Sequence, residues 1–223
     1  VKKNYNKKVI DLLFVSSVNN PKDFELKGGI ISLEAYTQLV KKYDNLRFTI
    51  RAHIPEWIEK KYGSLPGLKF IKEFIPKEDL EKLFVDADIL LEPIAGTNLM
   101  LETYNYAIPS IVFDTWELPE WVIDGKSGFV IDSTSIHGPI KTKEQFQKYL
   151  KNHHLNYLKM YDKTWDTKII NDFVQATSKL IEDRKLREEM SKYSKSMIGP
   201  KGRYNLEKRN KELLKVFEDA LKD

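Results

Sequence analysis

The sequence predicts an α/β protein, a doubly wound parallel sheet followed by a run of helices. Three observations carry that prediction. Short apolar or alternating segments take turns with amphipathic segments as far as about residue 131, with brief connections, which is the signature of βα units. The first apolar segment, Val9 to Val15 (VIDLLFV), is hydrophobic almost throughout, as a strand covered on both faces must be. After Asp132 the strand-like segments stop and Lys- and Glu-rich helical periodicity takes over. Right-handed crossovers then place helices on both faces of the sheet.

The elements follow in order. Gly28 to Tyr43 sets Ile30, Leu33, Tyr36, Leu39 and Val40 on one stripe, an amphipathic helix. Leu46 to Ile50 is a short alternating strand. Pro55 to Tyr62 is a helix with proline near its first turn, where the missing N–H costs little. Leu68 to Ile71 is a strand, Pro76 to Val85 a helix and Ile89 to Leu91 an apolar strand. Asn98 to Tyr106 is a helix, Ser110 to Phe113 a strand, and Pro119 to Ile123 a short helix. A turn at Gly125–Gly128 leads into a last strand, Phe129 to Ile131. Beyond a linker from Ser133 to Pro139, helices are expected at Lys143–Lys151, Lys168–Glu182, Asp183–Ser196 and Tyr204–Leu221. Gly199-Pro200-Lys201-Gly202 breaks the last two apart. His153 to Thr167 fits a helix or a loop. The expected organisation is a sheet domain over residues 1–132 and a helical extension over 133–223 packed on it.

Composition narrows the function classes. With 41% hydrophobic and 31% charged residues, the 223-residue chain is an ordinary globular protein able to bury a core. No run approaches the roughly 18 apolar residues of a membrane span, and no apolar segment behind Val1-Lys2-Lys3 marks a signal peptide. A start on Val1, with a strand following almost at once, is what a domain cut from a longer protein would show. The absence of cysteine excludes disulfides, thiolate metal sites and thiol nucleophiles, and fits a cytoplasmic location. The net charge of +4 is spread over Lys- and Glu-rich helices, a solvated surface that leaves room for peripheral association with the inner face of a membrane. His53, His137, His153 and His154 have no metal-ligand spacing, so no metal is expected. No basic stripe alternates with aromatics, so no nucleic-acid partner is expected either. P-loop, dinucleotide-binding and nucleophile-elbow motifs are all absent.

Ligands of open α/β sheets bind at the carboxyl ends of the strands. Four segments fall there: Ser16–Lys27, Arg51–Pro55, Glu92–Glu102 and Asp114–Glu120. Gly96-Thr97-Asn98 opens a helix with free backbone N–H groups, a site for a diphosphate or simply a helix capped by Thr97 or Asn98. Glu102 lies one turn further along, among apolar neighbours that make its helix largely buried. Its carboxylate can accept two ribose hydroxyls, or it can be a surface carboxylate. Lys27, before Gly28-Gly29, can neutralise a phosphate or be merely solvated.

These residues resemble a known family. Ala87-Asp88-Ile89-Leu90-Leu91-Glu92-Pro93, then Leu101-Glu102 through Ala107-Ile108-Pro109-Ser110-Ile111-Val112, then Asp114, Pro119-Glu120-Trp121-Val122-Ile123-Asp124-Gly125 and Gly128 look like the C-terminal domain of family 4 (group 1) glycosyltransferases. The family pattern runs A-D-[hydrophobic]-P, L-E-A-M-A-x-G-x-P-V-V, D-x-x-x-x-P-E-x-V-x-D-G-x-x-G. The resemblance spans about Lys8 to Ile131 and resumes in the C-terminal helices.

It implies a GT-B enzyme of two Rossmann-like domains, of which this chain matches the one that binds the nucleotide-sugar. It implies transfer with retention from a nucleotide-diphosphate sugar to a glycan or lipid-linked acceptor held by a separate N-terminal domain, without metal or cofactor. Lys27 would contact the diphosphate and, with Glu102, form the catalytic pair. Glu102 would bind the ribose. Gly96, Thr97, Asn98 and Leu99 would supply phosphate contacts, and Lys72, Glu73 and Phe74 would pass the base. The family's Gly-Arg after the first strand is here Ser16-Ser17, with Lys22 or Arg51 as substitute cations. The first Glu of its E-x7-E pair is Ile94, and its Gly-Gly after Asp114 is Trp116-Glu117. Those departures point to an alternative, a nucleotide-sugar-binding module without turnover. A GT-B epimerase is a third reading.

Overall fold

The computed structural model describes residues 3–115, 117–133 and 167–221. The helix expected at 143–151, the linker from residue 134 onward, the segment 153–166, and Trp116, His137, His153 and His154 lie outside the described residues.

Six parallel strands form one sheet: β1 (Ile10–Val15), β2 (Leu46–Arg51), β3 (Leu68–Ile71), β4 (Ile89–Leu91), β5 (Ser110–Phe113) and β6 (Gly128–Ile131). Their spatial order is β3-β2-β1-β4-β5-β6. The chain winds outward from β1 to β3, then returns to the other side of β1, so the topological switch point lies between β1 and β4. In register, Leu12 of β1 stands between Phe48 of β2 and Ile89 of β4.

Helices α1 (Asp23–Leu26), α2 (Gly29–Leu39), α3 (Glu56–Tyr62), α4 (Lys77–Asp86), α5 (Thr97–Asn105) and α6 (Leu118–Trp121) connect the strands, and α7 (Thr167–Glu182), α8 (Arg184–Ser196) and α9 (Leu206–Ala220) follow. Strand alternation sorts the core into two layers. Leu12, Phe14, Ile89, Leu91, Ile111 and Phe113 point toward α2, α3 and α7. Leu13, Leu90 and Val112 point toward α4, α5 and α6, where Phe84, Met100 and Leu118 cover them. Both faces of the central strands β1, β4 and β5 are covered, so these can be apolar almost throughout, as Val9–Val15 anticipated, while β2 alternates buried and open positions.

The late helices are part of this packing. Phe173 of α7 is fully buried with its ring edge-on to Phe113 at 5.2 Å. α7 lies along α2, and α8 packs on α5.

Several bounds move by one to four residues, the helix expected over Gly28 to Tyr43 ending at Leu39, and three differences have clear local reasons. α1 is an addition: its single turn is too short to show periodicity, and it is held by Phe24, whose ring meets Phe14 edge-on at 5.4 Å. Asp183 is not in α8 but caps it, accepting from the Leu186 N–H at 2.9 Å. Tyr204 is not in α9; its ring stacks on Trp121 at 4.1 Å and its hydroxyl donates to the Glu120 carbonyl, while Asn205 caps the helix.

The family's conserved-pattern aspartates turn out to be architecture. Asp88 accepts from the Asp11 N–H at 2.8 Å and pairs with Lys7 at 2.7 Å, stitching β4 to β1 at the amino end of the sheet. Asp114 accepts from the Ser133 N–H, and Asp124 from the Val130 N–H, fixing the last strand.

Candidate functional site

The carboxyl edge of the sheet at the β1/β4 switch point brings together two helix starts and Lys27. α2 begins after Gly28, whose φ of 80° is left-handed backbone. A Cβ at Gly28 would lie 2.7 Å from both Cβ and Cγ of Pro93, so only glycine lets the α2 start approach the β4 loop this closely. The contact is tied by the Ile94 N–H donating to the Lys27 carbonyl at 3.2 Å and by the Ser32 hydroxyl donating to the Leu91 carbonyl at 3.0 Å. α5 begins after Gly96 on the neighbouring loop. Neither helix start is capped by a side chain. The first-turn N–H groups of both helices have no intrahelical acceptor, and the positive ends of both dipoles meet at this edge.

The expectation that Thr97 or Asn98 caps α5 is therefore corrected. Gly96 holds the capping position, and the Thr97 hydroxyl instead donates to Glu117 at 3.2 Å. Gly96, Thr97 and Asn98 are exposed, and Leu99 leans into the core beneath α5.

Lys27 stands between the two helix starts, about a quarter exposed. Beneath it is Glu92, the residue after β4, which is fully buried. One Glu92 oxygen accepts the Val15 N–H at 3.0 Å. The other lies 3.7 Å from the Lys27 ammonium, an ion-pair distance too long for a hydrogen bond, and it has no hydrogen-bond partner. Burial pushes the Glu92 carboxyl up to about 8, against the opposing pull of Lys27 and the Val15 N–H.

Glu102 sits on α5 and is exposed, with no hydrogen bond from any described residue to its carboxylate. The sequence argument that its helix is largely buried is corrected at this position: Met100, Thr103 and Tyr104 turn inward, while Leu101 and Glu102 turn out. A carboxylate so placed is available to an outside donor.

Further along the edge, Arg51 at the end of β2 donates to the Ser16 carbonyl at 3.0 Å. Its guanidinium lies 6.0 Å from the ring of Phe74, which is 78% exposed. The structure thus brings Ser16, Arg51 and Phe74 into one group. Ser17 is half-buried, and its carbonyl accepts the His53 N–H. Lys72 is drawn aside into an ion pair with Glu59 at 2.8 Å, and Glu73 is exposed.

One pattern unites the edge. Among the described residues, five buried side-chain atoms lack a hydrogen-bond partner: Ser16 Oγ, Arg51 Nε, Glu92 Oε1, Thr115 Oγ1 and Arg187 Nε. The first four stand at the carboxyl ends of β1, β2, β4 and β5 in turn, four strands that are neighbours in the sheet. Each orphaned polar atom costs about 1–3 kcal/mol, and such groups need an explanation. Glu92 and Thr115 fall within the strand-end segments read from the sequence but not among the individual site residues expected there. A signal for Glu92 was present, a charged residue directly following a buried apolar strand; for Thr115 there was none. Among the described residues no cluster of His, Asp or Glu could hold a metal ion, and no described helix is long and apolar enough to cross a membrane.

Comparison with known proteins adds the following. Residues 10–146 match the family of glycosyl transferases group 1. Curated protein sequences give no match. Among solved structures, the chain is similar to WaaG, a glycosyltransferase involved in lipopolysaccharide biosynthesis, at 18% identity and a TM-score of 0.60, over 94% of this chain and 48% of that one. It is similar to the C-terminal domain of LpcC, a glycosyl transferase group 1 family protein from Francisella tularensis, at 17% identity and a TM-score of 0.57, over 87% of this chain and 86% of that domain. A variant of S. aureus TarM in complex with Fondaparinux, α-GlcNAc-glycerol and UDP gives 16% identity and a TM-score of 0.61, over 97% of this chain and 38% of that one. At these identities the likeness is one of fold, and the chain spans about half the length of WaaG.

Proposed function

The chain belongs to the group 1 glycosyltransferases, and from that premise we propose that it is the nucleotide-sugar-binding half of a two-domain GT-B enzyme. The observation that carries the reading is the row of orphaned polar atoms on four adjacent strand ends, beside two uncapped helix starts and Lys27. A diphosphate suits this arrangement: its oxygens would accept from the first-turn N–H groups of α2 and α5 and from Lys27. Glu102, exposed and one turn up α5, would accept the ribose hydroxyls. The base would lie toward Lys72, Glu73 and Phe74, where the open Phe74 ring and the Arg51 guanidinium offer a stacking surface.

In the transfer itself the sugar leaves the diphosphate with retained configuration. Negative charge grows on the leaving phosphate, where Lys27 and fixed backbone dipoles stabilise it without metal or cofactor. The acceptor, a glycan or lipid-linked saccharide, would be presented by a separate domain. Ser16 and Ser17 stand where the family has Gly-Arg, so Arg51 or Lys22 would supply the second cation. The enzyme would act in the cytoplasm, with room for peripheral attachment to the inner face of a membrane.

A thermal-shift screen with UDP-, GDP- and ADP-sugars tests the reading. A donor at about 100 times its Kd adds about 2.7 kcal/mol of stability, which raises Tm by about 5–10 °C in a chain of this size. No shift with any of the three classes would refute it.

One observation favours binding without turnover. Ile94, at the position of the family's first Glu, is buried in the core at 6% exposure and so offers nothing to a sugar. Donor hydrolysis or transfer by the full-length enzyme separates the two readings; binding without either supports the inactive module.

A further inference from the structure

We propose that Glu92 is a positioning residue that competes with the donor diphosphate for Lys27, so that the phosphate subsite opens only when Glu92 carries a proton. The inference rests on the nucleotide-sugar reading of this edge and assigns it a control that the reading does not contain.

The geometry is specific. Glu92 occupies the switch point itself, the first residue beyond β4, fully buried, in a stretch where the family pattern is hydrophobic up to the proline. A carboxyl in that slot has no solvent to ionise into. One of its oxygens is held by the Val15 N–H of β1, which fixes the other toward Lys27 at 3.7 Å. The charged groups that face it are Lys27, at the end of α1, and Asp23, on α1; β1 contributes only the Val15 N–H. Among the described residues Lys27 is the cation that acts on it. Lys27 in turn lies over Glu92, is partly exposed, directly precedes the α2 start, and its carbonyl is tied to Ile94 on the loop that leads to α5.

Two states follow. With Glu92 ionised, Lys27 is drawn toward a buried anion, and an incoming diphosphate meets a cation whose charge is already answered. With Glu92 protonated, the Lys27 charge is free for the phosphate. The carboxyl's midpoint of about 8 puts the change within reach of physiological pH. Binding of a dianionic phosphate draws Lys27 outward and leaves Glu92 without its cation. Above the midpoint, binding is therefore accompanied by uptake of one proton from solvent onto Glu92. If only the protonated form binds, affinity falls by about tenfold between pH 7 and pH 9 for a midpoint of about 8.

The test is calorimetric titration of the full chain with UDP and GDP at pH 7, 8 and 9, in buffers of different ionisation enthalpy, for wild type and Glu92→Gln. The amide keeps an acceptor for the Val15 N–H but cannot ionise, and ionisation of the nucleotide itself cancels between the two proteins. Wild type is expected to lose about tenfold in affinity and to take up a proton; Glu92→Gln is expected to change by less than about twofold and to take up none. The same pH profile in both proteins would overturn the role of Glu92 while leaving the nucleotide site intact. Binding of neither nucleotide by wild type at any pH would overturn the site and this proposal together. A second measurement needs neither the variant nor a ligand: carbon-13 NMR titration of the glutamate carboxyls. One glutamate titrating near 8 supports the proposal, and all of them titrating in the ordinary carboxylate range overturns it.

Discussion

Replacing Gly28 by alanine probes the join between the α2 start and the β4 loop, on which the whole site rests. Two costs add. Gly28 has a φ of 80°, and a residue with a Cβ in that left-handed region loses about 1–2 kcal/mol. The new Cβ would also stand 2.7 Å from two carbons of Pro93, a rigid ring with no rotamer to escape into. Overpacking of that kind costs about 1–3 kcal/mol. The sum is about 2–5 kcal/mol, which at 2–4 °C per kcal/mol lowers Tm by about 5–20 °C. Scanning calorimetry measures it, with Gly96→Ala as the control. Gly96 has a φ of −84°, and a Cβ there meets nothing within 4 Å, so its replacement costs no more than about 1 kcal/mol. Because the clash lies between Lys27 and the α2 amides, Gly28→Ala also weakens nucleotide binding at temperatures where it remains folded. A Gly28→Ala protein as stable as Gly96→Ala would refute the close approach and the site geometry derived from it.

Three further outcomes are expected. Glu102→Ala weakens nucleotide-sugar binding by about 1–3 kcal/mol, the worth of a hydrogen bond to a charged group; because Glu102 is exposed, Tm stays the same, and unchanged affinity in calorimetry would remove its ribose role. Glu92→Gln alters stability in a pH-dependent way. The folded carboxyl titrates at about 8 against 4.5 in the unfolded chain, so the folded state keeps a proton the unfolded state releases between those values. Wild-type stability is then complete below about pH 4.5 and falls as pH rises to about 8. The variant gains on wild type through that window, by at most about 5 kcal/mol, in urea denaturation at pH 5 and pH 8. Ala107→Gly stabilises the domain by about 0.5–1 kcal/mol, raising Tm by a few degrees, because Ala107 follows the α5 cap with a φ of 54° at the position where the family has glycine.

The fold was legible because its signals are local. Apolar runs such as Ile89–Leu91 and Ser110–Phe113 match their observed bounds, and Leu68–Ile71 does as well. What a sequence cannot display is which side of an element a residue faces in three dimensions. Glu102 lies among apolar neighbours in the chain, yet the helix turns it to solvent while Met100 and Tyr104 turn inward. Nor does the sequence show that the Lys72 side chain pairs with Glu59, thirteen positions back on α3. The motif aspartates Asp88, Asp114 and Asp124 hold strands together, a structural role that the motif alone does not distinguish from a binding one. Glu92 was passed over because it sits inside a motif segment whose other members are structural. Its place directly after a buried apolar strand is the one signal in the sequence, and burial with an unpartnered oxygen gives that signal its meaning.

The central claim, a diphosphate held at the β1/β4 switch point, is tested most directly by amide NMR of the nitrogen-15-labelled chain titrated with UDP and GDP. Binding at this site is expected to move the amides of Ser16, Gly28, Gly29, Thr97, Asn98 and Leu99 first and furthest, with Glu102 following. Saturable shifts centred elsewhere, such as on α4 or α9, or none at millimolar nucleotide, would contradict it.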